Sequence, residues 1–222
     1  MTPNKEDYLK IILELGGDTH KVSNKQIVAS LDVSPASVSE MVTKLVKQTY
    51  VTHTPYQGIQ LTQKGLTCAA KLVRNHRLWE VFLMKQLLYP YDALHSEAEA
   101  LEHATTDDMA NRLEYLLKHP KFCPHGGVIP DTNGHFERQS RITLASLGVG
   151  AKATIERVID EASLLDYLGM LDIKIGDSVF VVAVAPKVLT LRNSRTKRVL
   201  SMQVDNATNV FVNDIKYLSS II

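Results

Sequence analysis

Apolar residues recur at helical spacing in the first part of the chain, which predicts a series of short amphipathic helices. The first helix covers residues 4–15, and its buried face is made of Tyr8, Ile11, Ile12 and Leu15. We expect Asn4 to cap this helix at its N-terminus, and the glycines that follow residue 15 to end it. Asp7 then falls on the exposed side of the helix, one turn from its start.

Residues 23–47 show the same spacing in two shorter runs separated by a turn, which is typical of a helix-turn-helix. Ser23 is predicted to cap the first run, and Ser34 the second, with Pro35 at the first helical position. The second helix buries an apolar stripe, and its outward face is small at its start and basic at its end. Such a face suits a recognition helix whose N-terminus enters the major groove while its far end meets phosphate.

A short hairpin follows this helix, because the segment TYVTHTPYQGIQLT alternates around a Pro-Tyr-Gln-Gly turn. A hairpin in this place is the wing of a winged helix, and its tip is expected to touch the sugar-phosphate backbone. The predicted DNA-binding residues are Ser34, Pro35, Ala36, Ser37, Ser39, Glu40, Thr43, Lys44, Lys47, Tyr56 and Gln57. The alternative is a small helical subdomain that mediates only protein contacts.

The remainder of the chain contains a long helical part and then a β part. Thr62 is predicted to cap a long helix whose apolar surface needs a partner, which favours pairing with a second copy of the chain. In the last third, the segments ATIERVI, DSVFVVAVA, VLTLRN, KRVLSM and NVFVND alternate as short strands between turn residues, and LLDYLGML predicts a short helix. A small β-barrel is the expected result.

Composition narrows the class of protein. A chain of 222 residues suits two or three small domains, and none of its apolar stretches is long enough to cross a bilayer. A polar N-terminus and only two cysteines predict a protein without a secretory signal that works in the reducing cytoplasm. Basic residues outnumber acidic ones in residues 1–75, and the reverse holds in residues 76–145, which favours a polyanion as the partner of the first part.

Candidate metal ligands concentrate in the middle of the chain, where six of the eight histidines lie between residues 76 and 145. One group has i, i+3, i+4 spacing, so its side chains leave one face of a helix within a single turn: Glu99, Glu102 and His103. Two further pairs are His76 with Glu80, and Cys123 with His125. Carboxylates and imidazoles suit a divalent first-row metal. The alternative for each group is an ordinary solvated surface.

Five segments give the chain a resemblance to a known family: EDYL around Asp7, SPASVSEMV, LTQKG, EAEALEH, and CPHGGVIP from Cys123 to Pro130. They occur in the order found in the diphtheria toxin repressor family of metal-dependent transcriptional regulators. Within that family the chain looks most like the streptococcal manganese-dependent transport regulators. The resemblance covers the full length of the chain.

The resemblance implies a mainly α protein with a small β domain. Its parts would be a winged helix-turn-helix DNA-binding domain at residues 1–73, a helical dimerisation and metal-binding domain at 74–140, and an SH3-like β-barrel at 141–222. It also implies two metal sites. One would use Glu80, Cys123, His125 and Asp160, and the other would use Asp7, Glu102 and His103, completed by Glu99 or His76.

The ligand types favour manganese. The chain has Asp7 and Glu99 where diphtheria-type members have sulfur ligands, and carboxylates favour hard Mn(II) over softer ions. Cys123 leaves Zn(II), Fe(II) or Cd(II) open. Lys10 stands where the short manganese regulators have an acidic residue, which argues against their paired-metal arrangement.

The function implied is a metal-activated repressor that binds a palindromic DNA operator as a homodimer and controls metal-ion uptake genes. An iron- or zinc-responsive repressor of the same fold is the alternative within the family. From other classes, a metal-dependent hydrolase and a scaffold whose barrel captures peptides stay open. We expect no enzyme activity, no membrane association and no small organic substrate.

Overall fold

The computed structural model describes residues 2–159 and 162–217. Its helices are α1 (Pro3–Glu14), α2 (Asn24–Leu31), α3 (Pro35–Lys47), α4 (Gln63–Gln86), α5 (Leu94–Glu102), α6 (Asp107–Leu116), α7 (Ala162–Met170) and α8 (Val204–Ala207). Its strands are β1 (Val51–Thr54), β2 (Gly58–Leu61), β3 (Ala151–Val158), β4 (Ser178–Val184), β5 (Val188–Asn193), β6 (Val199–Gln203) and β7 (Val210–Tyr217). Single 3-10 turns occur at Tyr91–Ala93 and Leu144–Ser146.

The chain divides into two compact units, and the helical middle contributes to both. The first unit joins the residues up to Trp79 with Glu99–His119 and Ile129–Phe136, and the second joins Glu80–Ala98 and Pro120–Val128 with the residues from Glu137 onward. The three-domain division at residues 73 and 140 stays a prediction.

The first unit is built on α1, α2, α3 and the β1–β2 hairpin, as the periodicity predicts. Its core includes Leu9, Ile12, Ile27, Leu45 and Ile59, all fully buried. The hairpin is antiparallel, with Val51 opposite Leu61 and Thr54 opposite Gly58. Its turn lies at the predicted Pro-Tyr-Gln-Gly position, and this arrangement presents α3 and the hairpin tip at the surface of the unit.

Local capping follows the sequence at α2 and α3 but not at α1. Ser23 forms a capping box with Gln26, and the Ser34 hydroxyl accepts a hydrogen bond from the backbone N–H of Ser37. The prediction for α1 was wrong, because the helix begins at Pro3 with Thr2 at the N-cap position. Proline has no N–H to satisfy in a first turn and so starts the helix before Asn4 can cap it.

Side chains from the middle of α4 anchor the end of α5 inside the first unit. The Asn75 side chain donates to the backbone carbonyls of Glu102 (3.2 Å) and Thr105 (3.3 Å), and Trp79 Nε1 donates to the Thr105 hydroxyl at 2.7 Å. Because α5 ends at Glu102, His103 lies in the turn that follows and not on the same helix as Glu99. The prediction of one shared helical face was wrong for His103.

The second unit contains a five-stranded antiparallel sheet in the order β6-β5-β4-β3-β7. The five strands and α7 confirm the pattern of short alternating segments, whereas α8 was not predicted. Fully buried residues of the core include Leu144, Leu189, Leu191, Val179 and Met202. Among the described residues, no helix has the length and apolar character needed to cross a membrane.

A buried carboxylate just before β4 contacts the end of β5 and the turn that follows it. Asp177 accepts hydrogen bonds from Asn193 Nδ2 (2.7 Å), Arg195 Nε (2.7 Å) and the backbone N–H of Lys174 (3.0 Å). Burial by itself would raise the pKa of Asp177, but the hydrogen bonds from Arg195, Asn193 and Lys174 outweigh it and hold the pKa below its ordinary value. Its stabilising effect is therefore fully present above the ordinary carboxyl pKa and is lost as the pH falls through the lowered value.

We expect Asp177→Asn to lower the free energy of unfolding around β4 and β5 by about 1 to 3 kcal/mol at pH 7, because charge-assisted hydrogen bonds are lost. The difference from the parent protein should narrow as the pH falls below about 4, where the parent carboxylate becomes protonated. Hydrogen exchange of the β4 and β5 amides measures it. Asp166→Asn, at an exposed position on α7, serves as the control. A pH-independent difference would contradict the assignment.

Candidate metal centres and DNA interface

The structure brings Asp7 of α1 together with Glu102 and His103 at the end of α5, and we call these three residues the Asp7 cluster. Each offers one ligand atom, and the three atoms lie within 4.8 Å of one another. Asp7 Oδ1 is 2.9 Å from His103 Nε2, and Glu102 Oε1 is 3.6 Å from the same nitrogen. Asp7 is therefore half-buried near the end of α5. The sequence had instead suggested that it lies on the exposed side of α1.

The contacts of His103 show that this cluster fits a cation. His103 Nδ1 lies 2.7 Å from Glu6 Oε2, so an N–H on Nδ1 donates to that carboxylate. Asp7 Oδ1 is buried and makes no hydrogen bond to the described residues, although Nε2 is 2.9 Å away. A proton on Nε2 or a metal cation between the two atoms would compensate the negative charge of this buried oxygen. Burial is the main reason that the pKa of Asp7 is raised, with the His103 charge acting against it.

Two buried side chains contact the Glu102 carboxylate, and the sequence analysis did not predict that they share this partner. Lys10 Nζ donates to Glu102 Oε2 at 2.8 Å and to Oε1 at 3.0 Å, and His76 Nδ1 lies 2.5 Å from Oε2. All three residues are buried. Burial alone would raise the pKa of Glu102, but the hydrogen bonds from His76 and Lys10 hold it below its ordinary value.

Glu99 and Glu6 differ from what the spacing suggested. Glu99 is exposed and is not one of the three clustered ligands, although its charge contributes to the raised pKa of Asp7. Glu6 was missed, yet it contacts His103 directly. The signal available in the sequence was its place next to Asp7 at the start of the same helix.

A second group of ligands is formed by Glu80, Cys123 and His125, which we call the Glu80 cluster. The three side chains are buried, and their ligand atoms lie within 4.8 Å of one another. His125 Nδ1 is 2.9 Å from Glu80 Oε1. One carboxylate, one thiol and one imidazole form a donor set that suits a divalent transition metal. Asp160, the predicted fourth ligand, lies outside the described residues.

The pair His76 and Glu80 was predicted from its i, i+4 spacing on one helix. Both residues are on α4 and both are buried, so the alternative of an exposed surface pair was wrong. His76 contacts Glu102, whereas Glu80 contacts His125. One helix thus supplies a side chain to each ligand group.

The loop that carries Cys123 and His125 is held by backbone geometry and by one glutamine. Gly126 has φ +81°, and a Cβ there would lie 2.2 Å from the backbone oxygen of Glu156, so only glycine fits. Gln139 donates from Nε2 to the Gly126 carbonyl at 2.8 Å and accepts from the Val128 N–H at 2.9 Å. The backbone N–H of Val158 donates to the His125 carbonyl at 3.1 Å, which fixes the ligand loop to the end of β3.

The predicted DNA-binding face is exposed along α3 and at the hairpin tip. The eleven residues predicted to contact DNA, from Ser34 to Gln57, are all exposed, whereas Val38, Val42 and Leu45 on the opposite face of α3 are buried. Glu40 forms an i, i+4 ion pair with Lys44 at 2.7 Å, and Gln57 accepts a hydrogen bond from Lys21 at 2.6 Å. The small side chains of the N-terminal half of α3 and the basic side chains of its C-terminal end therefore lie on one exposed surface.

Models of known families match three successive parts of the chain. The N-terminal DNA binding domain of iron dependent repressors matches residues 1–59, their metal binding and dimerisation domain matches residues 62–131, and the FeoA domain matches residues 142–214. These matches confirm the predicted order of a DNA-binding domain, a helical dimerisation domain and an SH3-like β domain.

Whole-chain similarity extends to proteins of known structure. The solved structure of the manganese regulator SloR is 40% identical, with a TM-score of 0.83, over 96% of this chain and 99% of that chain. The HTH-type transcriptional regulator MntR of Oceanobacillus iheyensis is 34% identical over 54% of this chain and 81% of its own length. A probable metal transport system membrane protein of Chlamydia trachomatis is 47% identical over 70 residues, and the chain covers only 16% of its length.

We expect Gln139→Ala to weaken metal binding at the Glu80 cluster by about tenfold, because residues that orient a ligand loop affect affinity on this scale. Competition for Zn(II) with a chromophoric chelator measures the affinity. Gln203→Ala, which removes an exposed glutamine side chain of the same unit, should leave it unchanged. Equal affinity in both variants would show that Gln139 does not hold the loop.

Proposed function

The chain belongs to the diphtheria toxin repressor family of metal-dependent transcriptional regulators, and we propose that it represses metal-ion uptake genes when Mn(II) binds. The observation that carries this proposal is the Asp7 cluster. Asp7 belongs to α1 of the DNA-binding part, whereas Glu102 and His103 belong to the helical part that follows. The family consists of transcriptional regulators rather than enzymes, which disfavours the hydrolase alternative.

The choice of Mn(II) rests on the donor atoms of the Asp7 cluster. Two carboxylates and one imidazole are hard or borderline ligands, and this set favours Mn(II) over softer ions. The name of SloR as a manganese regulator supports the same choice. The thiol of Cys123 gives the Glu80 cluster a softer character, so Zn(II), Fe(II) or Cd(II) compete better there. Asp160 is our proposed fourth ligand of that cluster.

The regulatory step that we propose is linkage between metal binding and the arrangement of α1. Bound metal would neutralise the carboxylates of Asp7 and Glu102 and so favour the state in which α1 lies against α5. Without metal, Asp7 Oδ1 is buried and has no hydrogen bond to the described residues, and the cost of burying it favours the looser state. The operator is bound more tightly by the ordered state, and the gain equals the difference in metal affinity between the two states.

We propose that the operator is a palindrome read by a homodimer. The exposed face of α3 is the reading surface, and two copies related by a two-fold axis fit two half-sites about one helical turn apart. Apolar side chains exposed on α6 support an interface between copies, since Met109, Tyr115 and Leu116 are 48%, 77% and 57% exposed.

Mn(II) should raise operator affinity by about 5- to 150-fold, the usual range for allosteric coupling between two sites. Fluorescence anisotropy with a labelled operator at fixed salt, compared with Fe(II) and Zn(II), measures this effect. Asp7→Asn keeps the size of the side chain but weakens the ligand, so its response to Mn(II) should be largely lost. Asp166→Asn, at an exposed position of the second unit, is the matched control. A normal metal response in Asp7→Asn would remove the basis of the proposal.

Lys47→Gln should weaken binding to the operator and binding to unrelated DNA about equally, because a phosphate contact carries no sequence information. The salt dependence of binding, as the slope of log K against log salt, should decrease by about one. Ser37→Ala should instead reduce the preference for operator over unrelated DNA. Lys174→Gln in the second unit controls for the change in net charge. Unchanged binding by both α3 variants would point to a protein-contact role for the helix.

A further inference from the structure

A surface cavity of about 540 Å³ lies in the first unit, where α1 and α4 begin and α3 ends. The described residues that line it are Lys5, Lys47, Gln48, Thr49, Tyr50 and Lys64. Three of these six residues are lysines and none of the six is acidic. A concave surface lined by charges of one sign concentrates the electrostatic potential and attracts ions of the opposite sign. The cavity is therefore suited to an anion.

The backbone holds two walls of this cavity together. Thr62 Oγ1 accepts a hydrogen bond from the Gly65 N–H at 3.1 Å and donates to the Thr49 carbonyl at 2.7 Å. A Cβ on Gly65 would collide with the backbone oxygen of Tyr50, so the glycine permits the close approach of α4 to the segment after α3. Lys64, in the first turn of α4, is thus held next to the end of α3.

Two of the lysines meet at Gln48, the residue that follows α3. Lys64 Nζ donates to the Gln48 backbone carbonyl at 2.9 Å and lies 4.2 Å from the centroid of the Tyr50 ring. Lys5 Nζ donates to Gln48 Oε1 at 3.1 Å. An ammonium group has three N–H donors, so each lysine keeps a donor for a further acceptor. Neither ammonium forms an ion pair with a carboxylate of the described residues.

The cavity is continuous with the predicted DNA-reading surface. Lys47 belongs to both, because it lines the cavity and is exposed at the C-terminal end of α3. Contacts of this kind with backbone phosphate position a recognition helix in the major groove. A phosphate that enters the cavity beside Lys47 would therefore also meet the ammonium groups of Lys5 and Lys64.

The exposure of the lining residues favours a nucleic-acid backbone over a small molecule. None of the six is buried, since four are exposed and two are half-buried. Sites for small molecules bury most of the surface of their ligand and are largely apolar. An open, basic cavity instead suits a polymer whose many phosphates act together.

We propose that Lys5, Lys47 and Lys64 form a phosphate-binding site for the DNA backbone next to the base pairs read by α3. The interface then extends from α3 and the hairpin to the starts of α1 and α4. A lysine that contacts phosphate reads no base, so the site strengthens binding to the operator and to unrelated DNA alike. This inference rests on the proposed function in one respect, since it takes α3 as the DNA-reading helix.

The experiment measures the salt dependence of DNA binding by the full chain. Lys5→Gln and Lys64→Gln are combined, because Lys47 already belongs to the predicted reading face. Fluorescence anisotropy with a labelled operator and with an unrelated duplex should show that the slope of log K against log salt falls by about one to two. Affinity for both duplexes should fall by about 10- to 100-fold at about 0.1 M salt, because each unit of slope is a tenfold change in K for a tenfold change in salt.

Two controls separate a phosphate site from a change in net charge. Lys5→Arg with Lys64→Arg keeps both charges and should keep the parent slope. Lys174→Gln with Lys187→Gln removes two exposed charges of the second unit and should also keep it. Circular dichroism checks that each variant is folded, and Lys5→Gln alone carries the test if the double variant is not. A parent slope in a folded Lys5→Gln variant, or an equal fall in the second-unit control, would overturn the site.

Ethylation interference gives an independent measure, because it shows which phosphates the protein needs. In each half-site, the parent should be sensitive to ethylation of a phosphate that the variant with both Gln substitutions ignores, and an identical pattern would contradict the proposal. Inorganic phosphate tests for a free anion instead. If it raises the Tm of the parent but not of this variant, while the two salt slopes agree, the cavity does not bind DNA and the proposal fails.

The unrelated duplex also separates this inference from the proposed function, because its binding without metal depends on phosphate contacts alone. A normal Mn(II) response together with an unchanged salt slope would overturn the site and leave the proposed function intact. A lowered slope without any Mn(II) response in the parent would support the site and overturn the metal-dependent repression.

Discussion

The buried carboxylate of Glu102 is the group on which the first unit depends most. It lies at the end of α5, accepts hydrogen bonds from Lys10 of α1, and contacts His76 of α4. Three helices that are distant in sequence are therefore joined through a single side chain. Removing one partner from a buried ion pair of this kind typically costs about 3 to 5 kcal/mol, since the other charge is left without compensation.

This arrangement changes how a metal would act on the DNA-binding part. Before any ion is considered, Lys10 attaches α1 to α5, and the contact between Glu6 and His103 attaches α1 to the turn after α5. A metal at Asp7 would thus add to an existing attachment and would not create one. The effect of the metal is set by the difference between its affinity for the docked state of α1 and its affinity for the loosened state. A modest coupling energy is therefore sufficient for regulation.

The sequence predicted the elements well and the contacts less well. Periodicity found α1 to α4, the hairpin and all five strands of the sheet, because each depends on spacing within about ten residues. It could not show that Lys10 is buried, because its partner Glu102 is 92 residues away. Glu99 was grouped with Glu102 and His103 from spacing alone, but Glu99 is exposed whereas Glu102 is buried.

The Asp7 cluster and the Glu80 cluster also differ in how much of each could be predicted from the sequence. Cys123 and His125 were recognised as neighbours in a turn, but the clamp by Gln139 and the close approach of Gly126 to Glu156 are visible only in three dimensions. The Asp7 cluster needed the resemblance to a known family before Asp7 could be joined to Glu102, since nothing in its local spacing singles it out.

The single tryptophan of the chain adds a practical property to this region. Trp79 donates its indole N–H to Thr105, two residues after His103, so its ring is fastened to the turn that follows the ligand residues. Any rearrangement of that turn alters the polarity around the indole. The protein therefore carries a built-in optical probe, and its intrinsic emission reports on the ligand-bearing turn without a label.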